Sequence, residues 1–221
     1  MKIKLNGEEL EVIWYNYASF EISLDNYTIF IDPYNVSRDV VGDIILITHG
    51  HRRHFSPKDL KRVLCERSFL IAPYEVMEAS DKLPGKKMYV IPGDVVNVYN
   101  ITIWATPAYN VNKFDSCGVP YHPREDLKVG YVIEVEEFSI HHAGDTDKIP
   151  EMRGINCDIA LLPVGGVSVM TVDEALEAVY MINPKAVVPM HCKRAEITAY
   201  ATKFKEALKE KKIRVIIPCE V

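Results

Sequence analysis

Residues 43–54 read DIILITHGHRRH, and this stretch decides both the fold and the candidate site. Its first half is apolar and β-branched, which predicts a short buried strand. Its second half places His49, His51 and His54 within six residues. In an extended segment, residues two apart point to the same side, so His49 and His51 are expected to face one ion together. The stretch therefore favours a metal site, although a solvated histidine-rich turn is the alternative.

The length and composition are typical of a soluble globular protein. The chain has 221 residues, of which 48% are hydrophobic and 26% are charged, and we predict a single domain over residues 1–221. The net charge of −5 and the pI near 5.8 argue against nucleic acid as a partner. No apolar run reaches the length of a membrane span, and the polar start does not resemble a signal peptide.

The cysteines predict a reducing environment. The chain has five of them, an odd number, and no two have the C-x-x-C spacing of a metal or redox motif. This pattern favours reduced thiols in the cytoplasm over a disulfide framework.

The order of predicted elements indicates an α/β protein. Short strands separated by the turn sequences Asn6-Gly7 and Asp25-Asn26 open the chain, and helices are predicted over 57–67, 74–82, 171–181 and 195–211. A loop without clear periodicity covers 110–128. The two halves look alike in element order, and we expect two packed mixed sheets with helices outside.

Other candidate ligands follow later strands. Asp145 comes shortly after the strand 139–142, and His191 comes shortly after the buried strand 186–189. The carboxyl edges of such strands are where α/β proteins commonly form sites. Asp32 also ends a strand, where a turn or a carboxylate behind the ligands is the favoured role. His122 lies in the long loop. Each of these residues taken alone has a structural alternative, such as an Asx-turn for Asp145.

These motifs together resemble the metallo-β-lactamase superfamily, and within it the small cytoplasmic hydrolases similar to L-ascorbate-6-phosphate lactonase. The resemblance extends over almost the whole chain. The segments that carry it are 31–33 (IDP), 48–54 (THGHRRH), 105–110 (ATPAYN), 129–133 (VGYVI), 142–147 (HAGDTD), 162–166 (LPVGG) and 188–191 (VPMH).

The resemblance implies an αββα four-layer sandwich of two mixed sheets, with the site along the facing edges of both sheets. By position, it implies that His49 and His51 hold a first metal, that His54 and His191 hold a second, and that Asp145 bridges the two.

Three positions depart from the family pattern H-x-H-x-D-H and its later ligands. Arg53 stands where the family has the signature aspartate, and a guanidinium cannot ligate a cation. At 4 Å its charge would oppose a dication by roughly 8 kcal/mol at an effective dielectric of 20. Asn110 stands near the place of the third histidine, for which His122 is a substitute, and Tyr17 stands where relatives often carry histidine.

The leading hypothesis is a metal-dependent hydrolase in which a metal-activated water attacks an ester, lactone or phosphoester. The expected metal is Zn, with Mn, Fe or Ni as alternatives, and one ion is favoured over two. Asp145, or Asp32 through a water, would accept a proton, and Arg53 would bind an anionic small-molecule substrate. The candidate metal ligands are His49, His51, His54, Asp145 and His191, with Asn110 and His122 as further candidates.

A different class of function is also open. Arg53 and Asn110 both weaken metal binding, so the chain could be a non-catalytic binding module for an anionic small molecule. A homo-oligomer is compatible with the sequence.

Overall fold

The computed structural model describes residues 2–5, 8–24, 27–135 and 138–218. The turns predicted at Asn6-Gly7 and Asp25-Asn26 lie outside these residues, as does Cys219. The chain forms two compact units, Met1–Ile91 and Pro92–Glu220.

The first unit contains a seven-stranded mixed sheet in which every strand pairs with its neighbour in sequence. The first four strands are antiparallel to one another, and the pairs from the fourth to the seventh are parallel. The strands are β1 (Lys2–Leu5), β2 (Glu8–Asn16), β3 (Ser19–Ser23), β4 (Thr28–Ile31), β5 (Ile44–Leu46), β6 (Phe69–Pro73) and β7 (Lys86–Val90).

Helix α1 (Pro57–Val63) links β5 to β6, and a 3-10 turn (Tyr74–Val76) followed by α2 (Met77–Ser80) links β6 to β7. Ser56 is the N-cap of α1, and its hydroxyl accepts a hydrogen bond from Asp59 N. The apolar face of α1 packs with Phe30 and Ile45 in a buried core cluster. The helix therefore fixes the direction in which residues 49–56 leave the sheet.

The second unit repeats this pattern of strand pairing. Its seven strands also pair in sequence order, the first four antiparallel and the last three pairs parallel. They are β8 (Val95–Val98), β9 (Ile101–Pro107), β10 (Val129–Val135), β11 (Phe138–His142), β12 (Ile159–Pro163), β13 (Ala186–Met190) and β14 (Arg214–Val215).

Two longer helices cover this second sheet. Helix α3 (Val172–Ile182) contacts β12, and α4 (Ile197–Ala207) contacts β13 and β14. Thr171 and Glu174 form a capping box at the start of α3. Short 3-10 turns cover Arg124–Asp126 and Pro150–Gly154. No helix within the described residues is long and apolar enough to cross a membrane.

The predicted α/β class, with two mixed sheets and alike halves, is confirmed, but three predicted helices were too long. The helix predicted over 195–211 covers only Ile197–Ala207 and ends at its C-cap Leu208. The helix predicted over 57–67 ends at Val63, because the Ser68 hydroxyl accepts the Cys65 N–H and competes with further helical bonds. The helix predicted over 74–82 is a 3-10 turn and one α-turn, after which the N–H groups of Asp81 and Leu83 donate three residues back, to Glu78 O and Ser80 O.

Candidate metal ligands

In the first unit, Asp32 and Thr48 form hydrogen bonds with the Nδ1 atoms of two predicted ligands, His49 and His54. Asp32 follows β4 and is fully buried. Its Oδ1 accepts the Thr48 N–H at 2.8 Å, and its Oδ2 accepts the Thr48 hydroxyl at 2.6 Å. His54 Nδ1 lies 2.7 Å from the same Oδ2. A carboxylate can only accept here, so His54 donates from Nδ1 and leaves the lone pair on Nε2 for a metal.

Thr48 orients His49 in the same way. The Thr48 hydroxyl donates its proton to Asp32, and the Thr48 hydroxyl oxygen lies 3.0 Å from His49 Nδ1. His49 therefore donates from Nδ1, and its Nε2 carries the lone pair. The His49 and His54 rings are 4.0 Å apart between centroids, so Asp32 and Thr48 prepare two adjacent imidazoles.

His51 completes the group in this unit. Its Nδ1 lies 3.0 Å from His49 Nε2, and the two rings meet edge to face. Two imidazole nitrogens on one tetrahedral zinc, each about 2.05 Å from it, would be about 3.3 Å apart. The observed separation is close to this value. Two neutral nitrogen donors, backed by a carboxylate, suit zinc or a similar transition metal.

The backbone of Asp32 is in the left-handed region, with φ 47°. Aspartate adopts this conformation more readily than most residues, but it still costs free energy. The Asp32 N–H donates to Leu46 O at 2.9 Å, which keeps the residue against β5. The strained backbone directs the carboxylate towards Thr48 and His54.

Arg53 and Tyr17, two of the departures from the family pattern, contact each other. The Arg53 guanidinium carbon lies 4.1 Å from the centroid of the Tyr17 ring, a cation–π contact. Arg53 is exposed, and Tyr17 is half-buried in the turn between β2 and β3.

In the second unit, two histidines approach one oxygen of Asp145. Asp145 is buried and follows β11. His191 Nε2 lies 3.0 Å from Asp145 Oδ2, and His122 Nε2 lies 3.7 Å from the same atom. The second unit thus brings together three of the predicted candidates, and one carboxylate with two imidazoles is also a donor set that suits zinc.

Asn110 contacts His122 directly. The amide oxygen of Asn110 accepts the backbone N–H of His122 at 2.9 Å and lies 2.9 Å from its Nδ1. The amide nitrogen donates to Ser168 O at 3.0 Å. His122 therefore donates from Nδ1, and its Nε2 faces Asp145 with a lone pair.

The segment that carries Asp145 is tied to the long loop. Asp147 is buried, and its Oδ2 accepts the N–H groups of Val111 and Asn112 at 2.7 and 2.9 Å. The Thr146 hydroxyl accepts the Tyr109 N–H at 3.2 Å. These bonds join the two residues that follow Asp145 to residues 109–112, so the loop and the segment that carries the carboxylate keep a fixed relation.

Glu174 anchors the same loop from α3. Burial alone would raise the pKa of Glu174, but hydrogen bonds from Lys113, Thr171 and Asn112 lower it to about 2. Lys113 Nζ lies 2.8 Å from both carboxylate oxygens of Glu174. This side chain is therefore ionised at neutral pH and holds the start of the loop on the helix.

Gly165 makes room for His191. A Cβ at position 165 would lie 2.5 Å from the His191 carbonyl oxygen, which is backbone and cannot rotate away. His191 itself has φ 54°. The close approach of the two segments therefore requires glycine at this position.

A second buried histidine in this unit has a different environment. Burial, together with the charge of His142, lowers the pKa of His141 to about 3. Its Nδ1 has no hydrogen-bond partner among the described residues, and its Nε2 lies 3.4 Å from the Thr106 hydroxyl. His141 is therefore neutral throughout the physiological pH range.

The sequence reasoning missed Thr48, Asp147 and Gly165. Thr48 carries a hydroxyl next to His49 at the buried end of a strand. Such a position is a signal for a hydrogen bond to the ring nitrogen of a ligand that does not face the metal. Asp147 was the second carboxylate of a Gly-Asp-Thr-Asp run. Gly165 belongs to a glycine pair after a strand, which commonly marks a close backbone approach.

Comparison with known proteins places the chain in a family. The profile described as beta-lactamase superfamily domain matches residues 11–191. A UPF0173 metal-dependent hydrolase of Thermoplasma acidophilum is 30% identical and covers 96% of both chains. One of Hyperthermus butylicus is 32% identical over 81% of this chain and 82% of the relative.

Solved structures agree with this assignment. A crystal structure from Parabacteroides distasonis, described as that of a candidate metal-dependent hydrolase, has a TM-score of 0.85 and 33% identity, covering 98% of this chain and 96% of that one. A metallo hydrolase from Ignicoccus hospitalis has a TM-score of 0.72 at 23% identity, covering 95% of both chains, and supports the fold alone.

Proposed function

Because the chain belongs to the beta-lactamase superfamily, as the sequence motifs predicted, we propose that it is a metal-dependent hydrolase. The proposed ligands are His49, His51 and His54 in the first unit and Asp145 and His191 in the second. The observation that carries the proposal is the hydrogen bonding of three imidazoles. His49 and His54 in the first unit, and His122 in the second, each have Nδ1 bonded to an oxygen and Nε2 left as a metal donor.

His122 is added to this set as a ligand, and Asn110 is assigned the role of orienting it. The Asn110 amide oxygen already accepts two hydrogen bonds from His122, so both of its lone pairs are used to orient the histidine. The similarity to L-ascorbate-6-phosphate lactonase stays a prediction about the branch of the superfamily.

When bound, a divalent ion of this kind lowers the pKa of a coordinated water towards 7 and polarises the scissile carbonyl or phosphoryl group. Asp145 is the proposed proton acceptor. Asp32 is assigned to holding His54 in place, since its two oxygens already accept three hydrogen bonds. Zinc is the proposed metal, and one ion is expected to bind more tightly than a second. The substrate is an ester, lactone or phosphoester.

We also propose that the protein works in the cytoplasm on a small-molecule substrate. Cys65, Cys117 and Cys157 carry free thiols, which supports a reducing compartment.

The experiment that tests the function measures metal content and turnover in the same preparations. Protein from zinc-supplemented medium is analysed for metal and assayed with p-nitrophenyl acetate, bis(p-nitrophenyl) phosphate and a lactone, with Zn or Mn added. We expect about one tightly bound ion per chain and hydrolysis of at least one substrate. His51→Gln and His191→Gln should both lower metal content and turnover.

Arg52→Gln is the matched control, because Arg52 is an exposed neighbour of His51. It should behave as the wild type. Protein that takes up no transition metal and hydrolyses none of these substrates would contradict the proposal and favour a non-catalytic binding module.

A further inference from the structure

The turn that carries two candidate ligands also presents a cation. Residues 51–54 form a hydrogen-bonded turn, in which the N–H groups of His54 and Phe55 donate to His51 O at 2.8 and 2.9 Å. Arg53 lies between the two histidines in this turn. Its guanidinium therefore belongs to the same short rigid segment as His51 and His54.

Tyr17 gives this guanidinium a fixed platform. Its backbone has φ 47°, its N–H donates to Asn16 Oδ1 at 3.1 Å, and its carbonyl accepts the Trp14 indole N–H at 2.8 Å. Trp14 is itself buried. The backbone that carries the Tyr17 ring is therefore constrained by this turn.

The contact leaves the hydrogen-bonding edge of Arg53 available. The contact places the guanidinium carbon over the face of the Tyr17 ring, and the five N–H donors of a guanidinium lie in the plane of that group. Within the described residues, no carboxylate pairs with Arg53; the exposed arginines Arg62 and Arg124, in contrast, are paired with Asp39 and Glu151. Stacking also reduces the rotamer freedom that binding would otherwise cost.

The surroundings contain no competing negative charge on the same segment. Residues 48–54 include no acidic residue. Asp32 is engaged by Thr48 and His54, and the Glu75 carboxylate accepts the Gly50 N–H at 2.5 Å. A guanidinium on the turn that carries His51 and His54 suits an oxyanion, which it binds through two parallel hydrogen bonds.

We propose that Arg53, held on the Tyr17 ring, recognises an oxyanion group of the substrate, a phosphate or a carboxylate. This inference rests on the proposed hydrolase function for its biological meaning, but anion binding itself requires neither metal nor turnover. It makes the arginine that departs from the family pattern a determinant of specificity for anionic esters or lactones.

The test is a titration of the full chain with inorganic phosphate. Uniformly ¹⁵N-labelled protein is kept in chelator at constant pH and constant ionic strength, and the Arg53 Nε–H resonance is followed by NMR. We expect a saturable shift. Arg53→Gln should weaken phosphate binding at least tenfold, and Arg53→Lys should also weaken it, since an ammonium cannot bind in the bidentate manner. Tyr17→Leu should weaken it by about two- to fivefold through loss of the stack.

Arg52→Gln removes an equal charge from the adjacent position and is the control. It should leave phosphate affinity unchanged. Wild-type protein without saturable binding, Arg53→Gln with wild-type affinity, or an equal loss in Arg52→Gln would each overturn the proposal. The dispersion of the NMR spectrum shows directly whether each variant is folded.

A second readout connects the titration to catalysis. In zinc-loaded protein, Arg53→Gln should raise KM for bis(p-nitrophenyl) phosphate and leave KM for the neutral p-nitrophenyl acetate unchanged. An equal rise for both substrates would contradict the assignment. If no substrate is hydrolysed, the hydrolase function fails while the metal-free titration still decides the anion site.

Discussion

Asp32→Asn is the substitution that most directly tests how the first unit prepares its ligands. The new side chain has the same shape, and asparagine tolerates the φ of 47° at this position. It has, however, one oxygen and one NH2 group where aspartate has two acceptors. Three donors currently point at the carboxylate, at 2.6 to 2.8 Å. In either orientation, at least one of them must face the NH2 group.

The expected loss follows from this count. Leaving one buried donor unsatisfied costs about 1–3 kcal/mol, and hydrogen bonds to a charged group contribute about 1.5–3 kcal/mol each. We therefore expect the free energy of unfolding of metal-free protein to fall by roughly 2–4 kcal/mol. If the NH2 group replaces Oδ2, His54 must change tautomer and its Nε2 loses the lone pair. Zinc affinity should fall by about 10- to 100-fold.

Urea unfolding in chelator measures the stability, and competition with a chromophoric chelator measures zinc affinity. Asp39→Asn is the control, because it removes the same charge from an exposed pair with Arg62, and it should stay close to the wild type in both assays. The reasoning would be refuted if Asp32→Asn unfolded at the same urea concentration as Asp39→Asn and bound zinc as tightly as the wild type.

Three further predictions concern the second unit. Gly165→Ala should lower the free energy of unfolding by about 1–3 kcal/mol and weaken zinc binding, because its Cβ would displace the His191 backbone; Gly154→Ala, with open space around it, should do neither in the same titrations. His141 should make the protein less stable in acid, since its pKa of about 3 in the folded state lies below the ordinary 6.5 and only the unfolded chain gains the proton. His141 should then contribute a fall in the free energy of unfolding in chelator of about 1.4 kcal/mol per pH unit between the ordinary pKa of 6.5 and the folded value of about 3. His141→Leu should flatten the pH dependence by this amount; an unchanged slope would contradict the assignment. Thr171→Ala should cost about 1 kcal/mol by removing the cap of α3, and unfolding at an unchanged urea midpoint would show that the cap contributes nothing.

Much of the fold could be predicted from local pattern. The β-branched runs predicted most of the strands, because burial on a sheet requires such residues at those positions. The helices predicted to begin at 57 and 171 begin at Pro57 and Val172, where Ser56 and Thr171 are the N-caps. Helix ends were harder to predict from the sequence. The Cys65 N–H donates to the Ser68 hydroxyl, and the spacing of these two residues alone does not distinguish a cap from a continued helix.

The candidate site could be predicted only in part for a similar reason. The histidines and Asp145 were visible because ligand types are few and strand ends are recognisable. The partners behind them come from other elements. Asp32 and Thr48 are sixteen residues apart, and Asn110 and His122 are twelve apart. The stacking of Arg53 on Tyr17 depends on a left-handed turn that the sequence does not mark with glycine.

The strictly sequential order of both sheets bears on how the chain acquires its structure. Within each sheet, every strand after the first pairs with the one synthesised just before it, so no strand waits for a partner from a remote part of the chain. Short loop closures are fast, and domains generally fold in the order in which the ribosome releases them. The first seven strands can therefore assemble during translation, before the ribosome has completed the second set.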